Sequence, residues 1–185
     1  MNTVLSTIEK RFSCRSYTGA PLSKENAEQI AKAAMQAPSA LNAQKWHVVM
    51  VNNKAMVDEM SAYALSIMKA MPDQSTYNRI MDRGGNPFYN APAIALVLKQ
   101  VDSGKNVDID CGILVQNMAL AAASLGINSV IAAMVGMVFT GDRADEFKTK
   151  LNVPAGYEFG ISLIMGEGNM EKAPHDIDMD KVTFI

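Results

Sequence analysis

Helices that alternate with β-like apolar runs predict an α+β or α/β sandwich for this chain of 185 residues. Apolar residues recur at helical spacing in several segments, whereas other segments are short and continuously apolar, as strands of a buried sheet are. Hydrophobic residues make up 49% of the chain and charged residues 19%, which is an ordinary globular balance. A chain of this length can bury a large core, so we expect residues 1–185 to form one domain.

The first elements are a helix over residues 3–10 and an extended segment from Arg11 to Arg15. A second helix is predicted after Ser23, because serine is a preferred N-cap and Glu25 falls in the first turn. Pro38 ends this helix, since the residue before a proline is disfavoured in the helical conformation.

The middle of the chain contains an irregular stretch, residues 72–92, between regular elements. A strand over residues 46–51 and a helix over 54–70 precede it, and a strand over 93–98 follows it. Prolines, aromatic residues and the Gly84-Gly85 pair interrupt the stretch. Long irregular segments in compact domains are often functional, so we predict a lid.

The second half begins with a segment that is apolar almost all round, and we predict a buried central helix from an N-cap at Asp110 to Ser124. Gly126 ends it. The remaining predicted elements are a strand over 128–134, a helix over 142–151, a strand over 158–165 and a C-terminal extension over 166–185 with a β-like end at 181–184.

Charge and cysteine content exclude several classes of function. The formal net charge of −2 argues against nucleic acid or an anionic membrane as the main partner. The longest apolar region, residues 113–127, is too short to cross a bilayer and is broken by polar residues. Cys14 and Cys111 form no disulfide framework and no CxxC pair. No signal peptide is evident, so we expect a cytoplasmic protein without membrane contact.

Two segments carry candidate binding residues. In an extended segment Arg11, Ser13 and Arg15 point one way, and Phe12 and Cys14 point the other. Two guanidiniums and a hydroxyl on one edge suit a phosphate and an attached polar chain. The second segment, residues 37–46, supplies small side chains, amides and an aromatic. Together they predict an anionic, flat, hydrogen-bonding cofactor. No P-loop, Rossmann fingerprint or paired zinc ligands occur, so we expect no metal.

The chain resembles the FMN-dependent nitroreductase family. The resemblance rests on an ordered set of landmarks: Arg11–Arg15, Ala37–Trp46, Asn90–Pro92, Gln116–Ala122 with Leu125-Gly126, and Lys172–His175 before Asp180–Val182. It implies a three-layer α/β/α sandwich around a mostly antiparallel sheet, and an intertwined homodimer with FMN sites built from both subunits. It also implies ping-pong hydride transfer from NADH or NADPH to a small-molecule electron acceptor, such as a nitroaromatic compound or a quinone.

The resemblance also implies roles for individual residues. Arg11 would hold the phosphate of FMN, Ser13 would meet the ribityl chain or ring edge, and Arg15 would stabilise charge at the flavin N1/C2 edge. Lys172 would add a second phosphate contact, with His175 as the alternative from the same tail. The backbone near Ala133 and Met134 would approach the ring. The residues expected to line the flavin from the partner subunit are Pro38, Ser39, Ala40, Leu41, Asn42 and Gln44.

Some alternatives stay open from the sequence alone. A flavin-sequestering protein, or a specialised flavin-dependent oxidase or dehydrogenase, would share the phosphate contacts. Trp46 fits the core better than a stack on the flavin, and Cys14 fits a small buried apolar residue. Cys111 is either an inert packed thiol or a thiol whose pKa is lowered at a helix N-terminus.

Overall fold

The computed structural model of the protein describes residues 2–185. The helices are α1 (Thr3–Lys10), α2 (Lys24–Met35), α3 (Lys54–Ala70), α4 (Ser75–Met81), α5 (Asn106–Ser124) and α6 (Ala144–Lys150). The strands are β1 (Trp46–Val51), β2 (Ala93–Gln100), β3 (Asn128–Ile131) and β4 (Tyr157–Gly166). Short 3₁₀ turns cover Ala40–Asn42, Met134–Phe139 and Met179–Lys181.

The four strands form one sheet in the order β1-β2-β4-β3, and every neighbouring pair is antiparallel. Strand β2 is buried on both faces, which explains its continuous apolar sequence. Leu96 faces a core cluster that includes residues of α3 and α6, and its neighbour Val97 faces a second cluster with α2 and α5. The sheet therefore lies between two helical layers, and the predicted three-layer α/β/α sandwich is confirmed.

Side-chain caps fix the start of three helices. The Asn2 carboxamide oxygen accepts a hydrogen bond from the N–H of Val4 at 2.9 Å, which caps α1. Ser23 and Asn53 accept equivalent bonds at the start of α2 and α3, at 3.2 Å and 3.1 Å. Each cap satisfies an N–H group that has no partner within its helix. The predicted N-cap at Ser23 is confirmed.

The predicted N-cap at Asp110 is wrong. Helix α5 begins four residues earlier, at Asn106, and Asp110 lies inside it with its side chain buried. The strand predicted over 128–134 is also shorter, because β3 ends at Ile131 and the chain turns into the 3₁₀ segment at Met134. A continuous apolar run does not distinguish these two backbone conformations.

Two predicted irregular or β-like segments also differ from the structure. The stretch over 72–92 contains helix α4, whose Ile80 is buried in the core. In the described part of the tail, Lys181 ends a 3₁₀ turn and residues 182–185 belong to no strand. Residues 171–185 are exposed, so the β-like sequence at the end of the tail lacks a neighbouring strand within the protomer.

Helices α3 and α6 are joined by a cluster of charged side chains. Arg143 contacts Glu59 at 2.6 Å and Glu146 at 2.7 Å, and Lys150 contacts the same Glu59 carboxylate at 2.6 Å. Hydrogen bonds from Arg143, and then from Lys150, lower the pKa of Glu146 from 4.5 to about 2. The Arg143 guanidinium also lies over the Phe147 ring, 4.8 Å from its centroid. The cluster fastens α6 to the body of the fold.

Several apolar side chains remain on the surface. Val4 and Leu5 of α1 are each 62% exposed, and Ile109 of α5 is 63% exposed. In the tail Phe184 is 84% exposed. Within residues 2–185, no helix has the length and apolar character needed to cross a membrane.

Candidate functional site

The segment from Arg11 to Arg15 runs along the free edge of β3. The N–H of Cys14 donates to the carbonyl oxygen of Ser129 at 3.0 Å, and Ser13 pairs with Ser129 in a parallel β-bridge. Cys14 is fully buried, whereas Arg15 is exposed. The predicted alternation, with the thiol on the inner side and the guanidinium on the outer side, is confirmed for these two residues.

Tyr17 anchors the end of this segment to the sheet. Its hydroxyl lies 3.0 Å from the carbonyl oxygen of Cys14 and 3.2 Å from that of Ile164, and its N–H donates to the carbonyl of Tyr89 at 3.1 Å. Burial raises the pKa of the Tyr17 hydroxyl well above its ordinary value. The phenol therefore stays protonated and holds the backbone that presents Arg15.

Two neighbouring cavities lie beside this segment. Lysine and arginine line the first, and two lysines together with Glu171 line the second. The first, about 420 Å³, lies between α1 and the start of β3 and is lined by Lys10, Arg11 and Ser129 among others. The second, about 440 Å³, is lined by Lys10, Phe12 and Lys172 among others. Lys10 and Phe12 border both cavities, so the structure brings the tail lysine close to the end of α1.

The donor set of these cavities fits a phosphate-bearing group. Among residues 2–185, the lining cations Lys10, Arg11 and Lys172 form no salt bridge, so their charges are available to an anion. Arg15 forms none either, but it lines neither cavity. The Ser129 hydroxyl is buried and has no hydrogen-bond partner within the described residues. A wall with free cations suits an anionic, polar ligand such as FMN.

Sequence reasoning missed Lys10. The residue lies in the last turn of α1, directly before Arg11, where a cation also complements the helix dipole. That dipole explanation accounts for a lysine at a helix C-terminus without any ligand. The signal that could have identified Lys10 is its position next to Arg11.

The loop from Pro38 to Gln44 has an unusual backbone. Leu41, Asn42 and Gln44 all have positive φ, at 55°, 52° and 47°, although none is glycine. Two bonds to Ser39 hold the loop internally: its carbonyl accepts from the Asn42 N–H and its hydroxyl accepts from the Gln44 N–H, both at 3.0 Å. Strained backbone that surrounding contacts maintain is typical of functional sites.

This loop is tied to α5 rather than to the Arg11–Arg15 segment. The N–H of Ala40 donates to the buried carboxylate of Asp110 at 3.1 Å. Within residues 2–185 no hydrogen bond joins the loop to Arg11, Ser13 or Arg15, and the loop lines neither of the two cavities beside them. One protomer therefore does not bring the two halves of the predicted site together, as expected if the loop serves a second copy.

The turn that contains Ala133 and Met134 follows β3 and is fixed from β4. The N–H of Ala132 donates to the carbonyl of Ser162 at 3.0 Å, and the Ser162 hydroxyl donates back to the carbonyl of Ala132 at 2.5 Å. Ser162 is fully buried. Ala133 is exposed and Met134 half-buried at the adjoining surface. Sequence reasoning missed Ser162, which is one small polar residue in an apolar strand.

The structure separates the two candidate tail residues. Lys172 lines the second cavity with Lys10. His175 is exposed, and its Nδ1 lies 2.9 Å from the carbonyl oxygen of Asp176. The described contacts therefore favour Lys172 over His175 as a cation for this cavity.

Two alternatives from the sequence are settled by burial. Trp46 is only 7% exposed and packs in the core cluster with α2 and α5. Burial raises the pKa of the Cys111 thiol to about 11, with Asp108 adding to the effect. Cys111 is therefore an inert packed thiol, the first of the two alternatives. The second, a pKa lowered at a helix N-terminus, is excluded because Cys111 lies inside α5.

Comparisons with known proteins agree with this architecture. The model of the Nitroreductase family matches residues 8–167. A nitroreductase from Desulfitobacterium hafniense DCB-2, solved with bound FMN, has 45% sequence identity and a TM-score of 0.95, covering 100% of this chain and 99% of that one. A nitroreductase from Bacteroides fragilis, also solved with bound FMN, has 24% identity and a TM-score of 0.86 over 100% of both chains, a likeness in fold.

A curated protein is also similar to this chain in sequence. It is a protein of Archaeoglobus fulgidus, described as a candidate NADH dehydrogenase/NAD(P)H nitroreductase. It is 29% identical over 181 residues, which covers 96% of this chain and 92% of that protein. The family match spans most of the chain and includes the Arg11–Arg15 segment, the Pro38–Gln44 loop and all four strands. The chain belongs to the nitroreductase family.

Proposed function

We propose that this protein is an FMN-dependent oxidoreductase that takes hydride from NADH or NADPH and delivers it to nitroaromatic, quinone or related electron-poor acceptors. The observation that carries the proposal is the set of free cations around two adjoining cavities at the Arg11–Arg15 segment. Family membership and the 45% identical nitroreductase with bound FMN support the same cofactor.

The residues divide into a phosphate end and a redox end. A phosphomonoester carries about −1.5 to −2 charges near neutral pH, so at least two cations are needed to hold it away from water. Arg11, Lys10 and Lys172 would serve the phosphate. Ser13 would serve the polar chain, and the Arg15 guanidinium would stabilise negative charge at the N1/C2 edge.

When bound, FMN supplies the hydride acceptor and donor, and the chain needs no nucleophile of its own. The chain's task is to bind the cofactor, keep one face open and stack two partners on that face in turn. This use of one face by nicotinamide and then by acceptor gives ping-pong kinetics. The segment over residues 72–92, which contains α4, would form the lid over this face.

We also propose a homodimer in which each site takes residues from both copies. Apolar side chains on the surface of α1, α5 and the tail support an extended interface. The loop from Pro38 to Gln44 lies apart from Arg11 in the protomer, and Leu41 is fully exposed at its tip. A second copy that covers these surfaces would bring its loop to the first copy's cofactor. Residues 1–185 then form one FMN-binding domain, with 166–185 as an extension that reaches the partner.

The decisive experiment is the visible spectrum of the purified protein, followed by anaerobic titration with NADH and with NADPH. We expect a yellow protein that bleaches on addition of at least one nicotinamide and regains its colour with a quinone or nitroaromatic acceptor. A colourless protein that takes up no added FMN would refute the proposal. Bound FMN that neither nicotinamide reduces would instead support a flavin-sequestering protein.

A further inference from the structure

We infer that Asp110 is a positioning residue for FMN binding: from inside α5, its carboxylate fixes the Ser39–Gln44 loop in the shape that the cofactor site needs. The inference rests on the proposed function and adds a residue to it. Asp110 acts through the loop and has no predicted contact with the cofactor.

Asp110 is a buried charged residue among apolar side chains. It is 5% exposed, and it lies in a helix whose neighbouring inward residues, including Cys111 and Leu114, belong to an apolar core cluster. Burying a carboxylate among apolar side chains costs free energy that an apolar residue at the same position would not. Its Oδ1 accepts the N–H of Ala40 at 3.1 Å, a bond to a charged acceptor. The hydrogen bond to the Ala40 N–H therefore best explains why a carboxylate is buried at this position.

The loop needs an external anchor. Three of its non-glycine residues, Leu41, Asn42 and Gln44, occupy the left-handed region of backbone conformation, which side chains disfavour. The bonds to Ser39 shape the loop but do not tie it to the rest of the fold. The bond from Ala40 to Asp110 reaches helix α5, which is packed against the sheet. This hydrogen bond therefore determines the position and the orientation of the loop relative to α5.

Three substitutions separate the hydrogen bond from other effects of the site. Asp110→Ala removes the acceptor. Asp110→Asn keeps an oxygen that can accept the Ala40 N–H and removes the charge. Ala40→Pro removes the donor, and the extended backbone of Ser39 is compatible with a following proline. Asp108→Asn is the matched control, because Asp108 is exposed on the same helix and pairs only with Lys99 on the surface.

The first measurement is titration of FMN into each apoprotein, followed by flavin fluorescence. We expect Kd to rise about tenfold or more in Asp110→Ala and in Ala40→Pro, and to stay within about threefold of wild type in Asp110→Asn. Asp108→Asn should match wild type. The second measurement is amide hydrogen exchange of residues 38–45 in the apoproteins, where Asp110→Ala should exchange faster than wild type while β2 remains protected.

The outcomes distinguish this inference from the proposed function. Wild-type protein that binds FMN, with Asp110→Ala and Ala40→Pro binding it equally well, would overturn the role of Asp110 alone. Unchanged exchange of residues 38–45 would do the same. Wild-type protein that binds no FMN would overturn both. If Asp110→Ala does not fold, a Kd for Ala40→Pro that equals that of wild type decides against the inference. A raised Kd together with faster exchange of residues 41–45 and an intact β2 supports it, whereas a raised Kd with unchanged exchange decides against it.

Discussion

The backbone N–H of Arg15 donates to the thioether sulfur of Met170 at 3.2 Å, joining positions 155 residues apart in the chain. The Arg15 guanidinium also lies 3.4 Å from the carbonyl oxygen of Ser13. The backbone of Arg15 is thus held between Cys14, which bonds to β3, and Met170 in the chain after β4. These contacts fix the point from which the guanidinium extends.

Replacing Arg15 with alanine should weaken FMN binding by about tenfold or more, because a charge-assisted hydrogen bond to the cofactor is lost. The measurement is the Kd of FMN for the apoprotein, together with the reduction potential of the bound flavin. The potential should fall, since the reduced form loses its cationic partner. Lys24→Ala is the control: Lys24 is exposed at the start of α2, and among the described residues its ion pair is with Glu28, at 3.7 Å. Equal Kd values for the two variants would contradict the role of Arg15.

The two tail cations should behave differently. Lys172→Ala removes a charge from the cavity that Lys10 also lines, so we expect a higher Kd for FMN and a weaker dependence of that Kd on salt concentration. His175→Ala should leave both unchanged, because among the described residues the His175 ring hydrogen-bonds only to the backbone of Asp176. Titrations at two salt concentrations make the comparison. A larger effect for His175 would reverse the assignment.

Loss of the Ser162 hydroxyl should destabilise the turn at Ala133. Ser162→Ala leaves the buried carbonyl of Ala132 without its side-chain donor, which typically costs about 1–3 kcal/mol of unfolding free energy. Denaturant unfolding of the apoprotein measures this cost, and a shift in the flavin absorption bands would report a change at the ring. Ser66→Ala is the control, since Ser66 is exposed and bonds only within α3. Equal stability of the two variants would contradict this role.

The charged cluster between α3 and α6 should make stability depend on acid pH. The folded-state pKa of Glu146 is lowered to about 2 and that of Glu59 is lowered as well, so both stabilise the fold above their ordinary pKa near 4.5. That stabilisation is lost as the pH falls from about 4.5 toward 2. Thermal unfolding across this range should show the loss. Arg143→Met keeps a long side chain over the Phe147 ring and should flatten the dependence.

Removal of the tail should alter assembly. A chain that ends at Pro174 lacks the exposed apolar residues of the extension, among them Ile177 and Phe184. We expect sedimentation velocity to show a shift from dimer to monomer, or a marked rise in the dimer dissociation constant. Asp176→Asn in the full chain should leave the dimer intact. A truncated chain that dimerises as tightly as wild type would exclude the tail from the interface.

Much of the fold could be predicted because local signals agree with the tertiary structure. Residues 3–10 and 54–70 have the predicted helical bounds, and residues 46–51 have the predicted strand bounds. In each case the pattern and the turn chemistry favour the same element. The predicted start of α5 was wrong because Asp110 has the side chain of a good N-cap. Its carboxylate instead accepts a hydrogen bond from Ala40, in a loop 70 residues away in the chain.

The site could be predicted in part. Alternation along an extended segment is a local property, so the burial of Cys14 and the exposure of Arg15 follow from sequence. The left-handed backbone at Leu41 and Gln44 leaves no comparable signal, because residues with side chains reach it only when tertiary contacts impose it. Lys10 was missed because a lysine in the last turn of a helix has an explanation in the helix dipole, and its place on the cavity wall with the distant Lys172 appears only in the folded chain.

The strand order has a consequence for biosynthesis. Strand β2 meets β1 early in the chain, but its other neighbour, β4, begins only at Tyr157. The Arg11–Arg15 segment in turn is fixed by Ser129 and by Met170. On the ribosome the nascent chain cannot close the sheet, or set its N-terminal arginines in place, until nearly all of it has emerged. The Arg11–Arg15 segment is thus among the first parts of the chain to be synthesised and among the last to reach its folded position.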